Sequence, residues 1–252
     1  MERQSIQIIE YDTVTSTNDT AKELANLGEK RDLLIIAKKQ TAGRGRMGRT
    51  WLSQEGEGIY MSFFLHPKIR PDQGSRLTLV MAMAVEEGIR KATGLAAGIK
   101  WPNDIILEGK KVCGILTEMS ADVDGIRYLI IGAGINVGNK EFPNELAEIA
   151  TSLYRQGITN ISHGDIIEQV LQSWEYYYER FCRTGDLRDI MKEYNEKCMN
   201  VNTKVKVIGA QIPYCGISHG INADGELLVE VDGEIRKISS GEVSVRGVYG
   251  YV

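Results

Sequence analysis

An α+β fold in two parts is what this sequence predicts, with a larger domain over residues 1–200 and a small β-barrel over 201–252. Three observations carry that expectation. Strand-like and helical segments are interleaved up to about Asn200. Beyond it come short strands punctuated by Asn-Ala-Asp-Gly and Asp-Gly turns, which suit a small barrel. A chain of 252 residues, 42% hydrophobic and 25% charged, can bury one large core, or one large and one small.

The elements follow in order. IQIIEYDTV alternates apolar and polar residues, as a half-buried strand should. Ser16, Thr17, Asn18 and Asp19 then supply helix-capping side chains ahead of TAKELANLG, which ends on Gly28. DLLIIAKKQ and IYMSFFL are the second and third strands, joined through the glycine–arginine loop TAGRGRMGRTW. A helix is expected from Arg76 to Thr93, stopped by Gly94. GIKW and a hairpin turning at Glu108-Gly109 come next, then the buried strand RYLIIGAGINV. The stretch 165–198 reads as helical, with an aromatic run from Trp174 to Phe181.

Composition removes several function classes. A net charge of −4 argues against a nucleic-acid or membrane-surface binder, whose footprint would be basic. No apolar run is long enough to cross a bilayer, and the N-terminus lacks the apolar stretch of a signal peptide. Cys113, Cys182, Cys198 and Cys215 lie far apart, which reads as reduced thiols in a cytoplasmic protein. His66, His163 and His219 are equally scattered, so no metal cluster is expected.

The densest chemistry lies between Gln40 and Trp51. Gly43, Gly45 and Gly48 match G-x-G-x-x-G, but a dinucleotide site needs a helix to open directly afterwards. TWLSQEGEGIY carries Gly56 and Gly58 and has no helical period, so that reading fails. What remains is a loop with three guanidiniums, at Arg44, Arg46 and Arg49. Arginine pairs bidentately with carboxylates and phosphates, and glycines let the backbone approach an anion. The loop therefore reads as an anion-binding lid rather than a solvated hairpin tip. Trp51 is either a core anchor or a stacking surface for a purine, and both readings stay open.

The loop GRGRMGRTW, the run from Lys100 to Asp104 and the run Gly132-Ala133-Gly134-Ile135-Asn136 resemble, in this order, the signature of biotin–protein ligases. Ser16-Thr17-Asn18 and the segment from Gly241 to Arg246 fit the same pattern, so the resemblance spans almost the whole chain. It implies a mixed-sheet, class II synthetase-like catalytic domain with an SH3-like C-terminal barrel. Because the first catalytic strand begins almost at once, it also implies the monofunctional form without the DNA-binding domain of bifunctional relatives.

Carried over residue by residue, the resemblance places Ser16, Thr17, Asn18 and Gln40 around the biotin ureido ring, with Gly43, Gly45, Gly132 and Gly134 allowing close backbone approach. Arg44 and Arg46 would close over the biotin carboxylate and phosphates, and Lys111 would contact carboxylate and α-phosphate oxygens. Trp51, Asn103, Asn136 and Arg246 would serve the nucleotide, together with Arg46 and Lys111. Met47 stands where relatives often carry a polar or basic residue. ATP, Mg²⁺ and biotin are the implied ligands, and a biotin carboxyl carrier domain the implied acceptor. Asp104 is the candidate for orienting or deprotonating the acceptor lysine, and homodimerisation through a sheet edge is a further implication. Lipoate–protein ligases and octanoyl transferases share the fold but carry a conspicuous histidine in their glycine-rich segment, and this loop has none. A non-enzymatic nucleotide-binding or repressor module would not need the lysine and arginines.

Overall fold

The computed structural model describes residues 6–209, 212–240 and 244–247, and in the last stretch only the side chain of Val245. β1 (Gln7–Val14) leads into α1 (Thr17–Asn26), β2 (Leu33–Gln40) and β3 (Gly58–Leu65). After a 3-10 turn over Pro71–Arg76 come α2 (Leu77–Thr93), β4 (Gly98–Lys100), β5 (Asp104–Leu107), β6 (Lys110–Asp122) and β7 (Gly125–Asn136). The seven strands form one sheet in the order β1-β2-β3-β7-β6-β5-β4. β1 and β2 run parallel and the remaining neighbours antiparallel, so the sheet is mixed, as expected. Glu108 and Gly109 both take positive φ, 48° and 74°, which is the turn geometry a two-residue β5–β6 hairpin needs.

Every residue of β3 is buried, because helices cover both faces of the sheet there. α3 (Asn144–Ala147) is a single turn; α4 (His163–Thr184) lies with α2 over one face. Their axes come close at Gly88, where a Cβ would stand 2.5 Å from Val170 Cγ2. On the other face α1 contributes Ala21 to a smaller cluster with Leu33, Ile35, Phe64 and Ile130. α1 is too short to cover that face beyond this cluster, and the uncovered part holds the site.

The helical stretch expected over 165–198 is broken. Gly185 takes a left-handed φ of 72° and donates its N–H to Phe181 O, which ends α4 before α5 (Met191–Lys197) begins. α5 returns Lys197 to the buried Glu86 of α2, so an ion pair rather than helix continuity fixes its place.

β8 (Thr203–Ile208), β9 (Tyr214–Ile221), β10 (Leu227–Val231), β11 (Glu234–Ile238) and β12 (Ser244–Gly247) form an antiparallel sheet in the order β11-β10-β9-β8-β12. Its inner face does not form a separate core. Val205, Val207, Ile221, Leu227 and Val229 belong to the same buried cluster as α2, α4 and Trp101. Polar links cross as well: the Trp101 indole donates to Gly225 O at 3.1 Å, Leu187 N to Ala223 O at 2.8 Å, and Arg76 pairs with Asp224 at 2.8 Å.

Candidate active site

On the α1 face, directly opposed residues form rungs across the sheet. One rung runs Glu118–Ile130–Phe64–Leu33 and sits under α1; the next runs Leu116–Gly132–Ser62–Ile35; the third runs Gly114–Gly134–Tyr60–Ala37. Three glycines on two adjacent rungs leave the sheet without side chains there. The space is taken instead by Asn18, packed on Gly132, and by the Trp51 indole. A Cβ at Gly134 would stand 2.5 Å from Trp51 Nε1, and one at Gly114 2.9 Å from Trp51 Cζ3.

The N-terminus of α1 points at these rungs. Ser16 is its N-cap by position, yet its side chain makes no capping bond. Gln40 does that work: its Oε1 accepts from Thr17 N at 2.9 Å, and its Nε2 donates to Ser53 Oγ at 2.9 Å. The buried Ser62 hydroxyl lies 2.6 Å from Asn18 Oδ1 and 2.7 Å from Thr17 Oγ1, and Asn18 Nδ2 donates to Glu118 at 2.8 Å. Ser16, Thr17, Asn18, Gln40, Gly132 and Gly134 therefore line one pocket with Arg44, Trp51 and Tyr60. The pocket holds about 30 Å³, because Asn18 and the indole occupy the space over the glycines.

The loop is a tight hairpin: Arg44 bridges Thr50, Gly45 N donates to Arg49 O at 2.7 Å, and Trp51 N to Gly43 O at 2.9 Å. Gly43 is required by close approach, since a Cβ would stand 2.5 Å from Trp51 O. At the tip Met47 takes a left-handed φ of 57° and is 64% exposed, so an apolar side chain faces solvent there.

The two arginines expected to act together are parted. Arg44 turns to Asp19 at 2.7 Å and Glu118 at 3.5 Å, and Asp19 raises its pKa. Lys22 binds the same two carboxylates, so Arg44 sits in a four-membered charge cluster at the pocket mouth. Arg46 instead donates to Asn103 Oδ1 at 2.9 Å and to Ser240 O at 2.7 Å, and burial pushes its pKa down. Alternation along an extended chain sends neighbouring odd and even residues to opposite sides, but Arg44 and Arg46 share parity; the tip turn is what redirects Arg46.

A second cavity of about 200 Å³ lies on the far side of Trp51, lined among others by Lys111, Asn136, Phe142, Ile149 and Val245. Lys111 stands at the junction: its Nζ is 2.6 Å from Asp104 Oδ1 and 5.4 Å from the Trp51 ring centroid. Its backbone is clamped by Ile149 O and Thr151 N, at 2.8 and 2.9 Å. Asn136 lines the cavity while its Nδ2 donates to Thr151 O at 3.0 Å. Trp51 is thus neither a plain core anchor nor an exposed stacking ring: it is the wall between two cavities.

Asp104, the candidate for orienting or deprotonating the acceptor lysine, is paired with the Lys111 ammonium at 2.6 Å. Asn103, expected to serve the nucleotide, lines the larger cavity, with Oδ1 accepting from Arg46 and Nδ2 donating to Ile115 O. The side chain of Arg246 and residues 241–243 lie outside the described residues. Sequence reading missed Asp19, Ser53, Tyr60, Ser62, Glu118 and Leu116; only the register of β3 and β6 against β7 brings the strand residues to the pocket.

A family model described as the biotin/lipoate A/B protein ligase family matches residues 11–136, and one for the biotin protein ligase C-terminal domain matches 203–246. The bifunctional ligase/repressor of Bacillus subtilis is 40% identical over 240 residues, covering 94% of this chain and 74% of that protein. A biotin–acetyl-CoA-carboxylase ligase of Mycobacterium tuberculosis is 28% identical over 246 residues, covering 93% and 88%. Among solved structures, biotin protein ligase from Aquifex aeolicus in complex with biotin and ATP matches with a TM-score of 0.83 at 32% identity, covering 96% of this chain and 99% of that one.

Proposed function

This chain belongs to the biotin/lipoate A/B protein ligase family, and from that membership we propose how its site works as a biotin–protein ligase. The enzyme joins biotin to AMP at the expense of ATP and then passes the biotinyl group to a lysine. The observation that carries the residue assignment is the pair of cavities that share Trp51 as a wall and Lys111 as a cation at their junction. In this reading biotin takes the glycine-runged pocket, with Ser16, Thr17, Asn18 and Gln40 offering hydroxyl and amide partners to its ureido group. ATP takes the larger cavity beside Phe142, Ile149 and Asn136.

A carboxylate does not acylate an amine directly, because oxide would have to leave. Attack of the biotin carboxylate on the α-phosphorus breaks the bond to pyrophosphate and gives a mixed anhydride. Two anions must meet for this, and Lys111 and Arg46 offset their repulsion where charge develops. Arg44 joins them only by exchanging Asp19 and Glu118 for ligand oxygens. Asp104 orients Lys111 in this scheme. The acceptor lysine must attack as a neutral amine, which costs roughly 4.6 kcal/mol at pH 7; cations around the site lower that cost.

Among the described residues no three His, Cys, Asp or Glu side chains cluster to hold a metal ion. In this reading Mg²⁺ would arrive as the companion of ATP, carried by phosphate oxygens, and would help offset the phosphate charge. The acceptor is a biotin carboxyl carrier domain in this reading. Homodimerisation through a sheet edge has support in β6, which runs on past β5, so that 116–122 extend beyond the last β5 pairing. No described helix is long and apolar enough to cross a membrane.

ATP–pyrophosphate exchange driven by biotin and not by lipoate is the expected result; exchange driven by lipoate alone would overturn the substrate assignment. Gly134→Val should abolish measurable biotin binding, because its methyls would fill the rung that the ligand needs. A Cβ there would also stand 2.5 Å from Trp51 Nε1, so the indole has to shift and a lowered thermal midpoint with the fold retained is expected. Calorimetry showing parental biotin affinity would remove this rung from the site.

A further inference from the structure

Asn103 is tied down at every polar atom of its side chain. Oδ1 accepts from Arg46 Nη1 at 2.9 Å and Nδ2 donates to Ile115 O at 3.0 Å. Its carbonyl also accepts from Ile115 N at 2.9 Å, which fastens the residue to β6 from both sides. The preceding turn is anchored to the C-terminal part of the chain: Trp101 N donates to Asn200 Oδ1 at 2.8 Å, and its indole, 1% exposed, to Gly225 O. Ser240 O, from the same part, takes the other terminal nitrogen of Arg46. The guanidinium is thus gripped between Asn103, itself fastened to β6, and the Ser240 carbonyl beyond β11, in a loop whose neighbours include three glycines.

We infer that Asn103 is a positioning residue, one that holds Arg46 in place through Oδ1 and so retains the acyl-adenylate by way of that guanidinium. This rests on the ligase reading above. A flexible loop would otherwise have to be ordered by the ligand at each turnover; a protein-made grip removes that ordering from the ligand. The amide suits the task because it joins a donor for the β6 carbonyl to an acceptor for the guanidinium, on one rigid plane.

The test is the release rate of biotinyl-adenylate from the preformed complex, without acceptor, for the parent and for Asn103→Ala, Asn103→Asp, Arg46→Gly and the Asn103→Ala/Arg46→Gly pair. Asn103→Ala should release the adenylate about tenfold faster, the scale of one lost hydrogen bond to a charged group. Asn103→Asp should stay near the parent rate with an unchanged KM for ATP, since a carboxylate still holds the guanidinium. The pair should release no faster than Arg46→Gly alone. A purely structural role predicts the reverse order, because Asp sets a carboxylate against Ile115 O and should then leak more than Ala. That order, additive effects in the pair, or a raised KM for ATP in both Asn103→Ala and Asn103→Asp would overturn the inference. Should Asn103→Ala not fold, Asn103→Ser, too short to reach Arg46, is read by the same criteria. A parent chain that forms no adenylate would instead sink the ligase reading itself.

Discussion

Lys111→Ala is expected to slow biotinyl-adenylate formation by about 10²- to 10³-fold while leaving biotin affinity within a few-fold of the parent, the scale seen when one transition-state donor is removed. Lys111 is placed where the two cavities meet, with Nζ against Asp104 at 2.6 Å and above the Trp51 ring. Biotin alone brings one carboxylate, which Arg46 also favours. The demand on Lys111 rises only when the triphosphate arrives. Without the ammonium, Asp104 would add a like charge beside the phosphates, so Asp104→Asn should recover part of the loss in the doubly substituted protein. Lys111→Arg should not substitute, since a planar fork cannot fill the place of a compact ammonium seated 2.6 Å from Asp104 Oδ1. Biotin calorimetry set beside pyrophosphate exchange decides the matter. Equal losses in both would show that Lys111 is a ground-state biotin contact.

Ending the chain after Asn200 should leave no cooperatively folded catalytic domain, which departs from the separable barrel that the sequence suggests. Removing the C-terminal sheet uncovers Trp101, which is 1% exposed, and takes the acceptor of its indole N–H. It strips Leu79 and Leu187 of Gly225, whose Cα lies close enough that a Cβ would stand 3.0 Å from Leu187 Cδ1. Arg76, 11% exposed, would lose Asp224. Loss of one buried Trp contact set alone costs about 3–5 kcal/mol, against a total stability of roughly 5–15 kcal/mol. The shortened chain should therefore show a broad or absent thermal transition and no biotin binding at parental affinity. A sharp transition at the parent midpoint, with biotin bound as before, would establish two independent units.

Much of this protein was legible one segment at a time. Period-two alternation marked β1, Gly94 closed α2, and Glu108-Gly109 set the β5–β6 hairpin, because each depends on residues adjacent in the chain. The glycine–arginine loop and the Gly132–Asn136 run announced a site for the same reason: their chemistry is carried by spacing within a few residues. The break at Gly185 was legible too, in a single glycine that the aromatic helical pattern around it outweighed.

Tertiary structure decided the rest. That Gly114 lies beside Gly134 follows from the pairing of β6 with β7, and that Ser62 meets Gly132 follows from β3, neither of which any local pattern contains. The division of labour between Arg44 and Arg46 was set by partners far away in sequence: Asp19 and Glu118 for one, Asn103 and the Ser240 carbonyl for the other. Sequence by itself determined which side chains could bind an anion. Only the folded chain determined where each guanidinium points, because a long flexible cation takes its direction from the acceptor nearest to it in space.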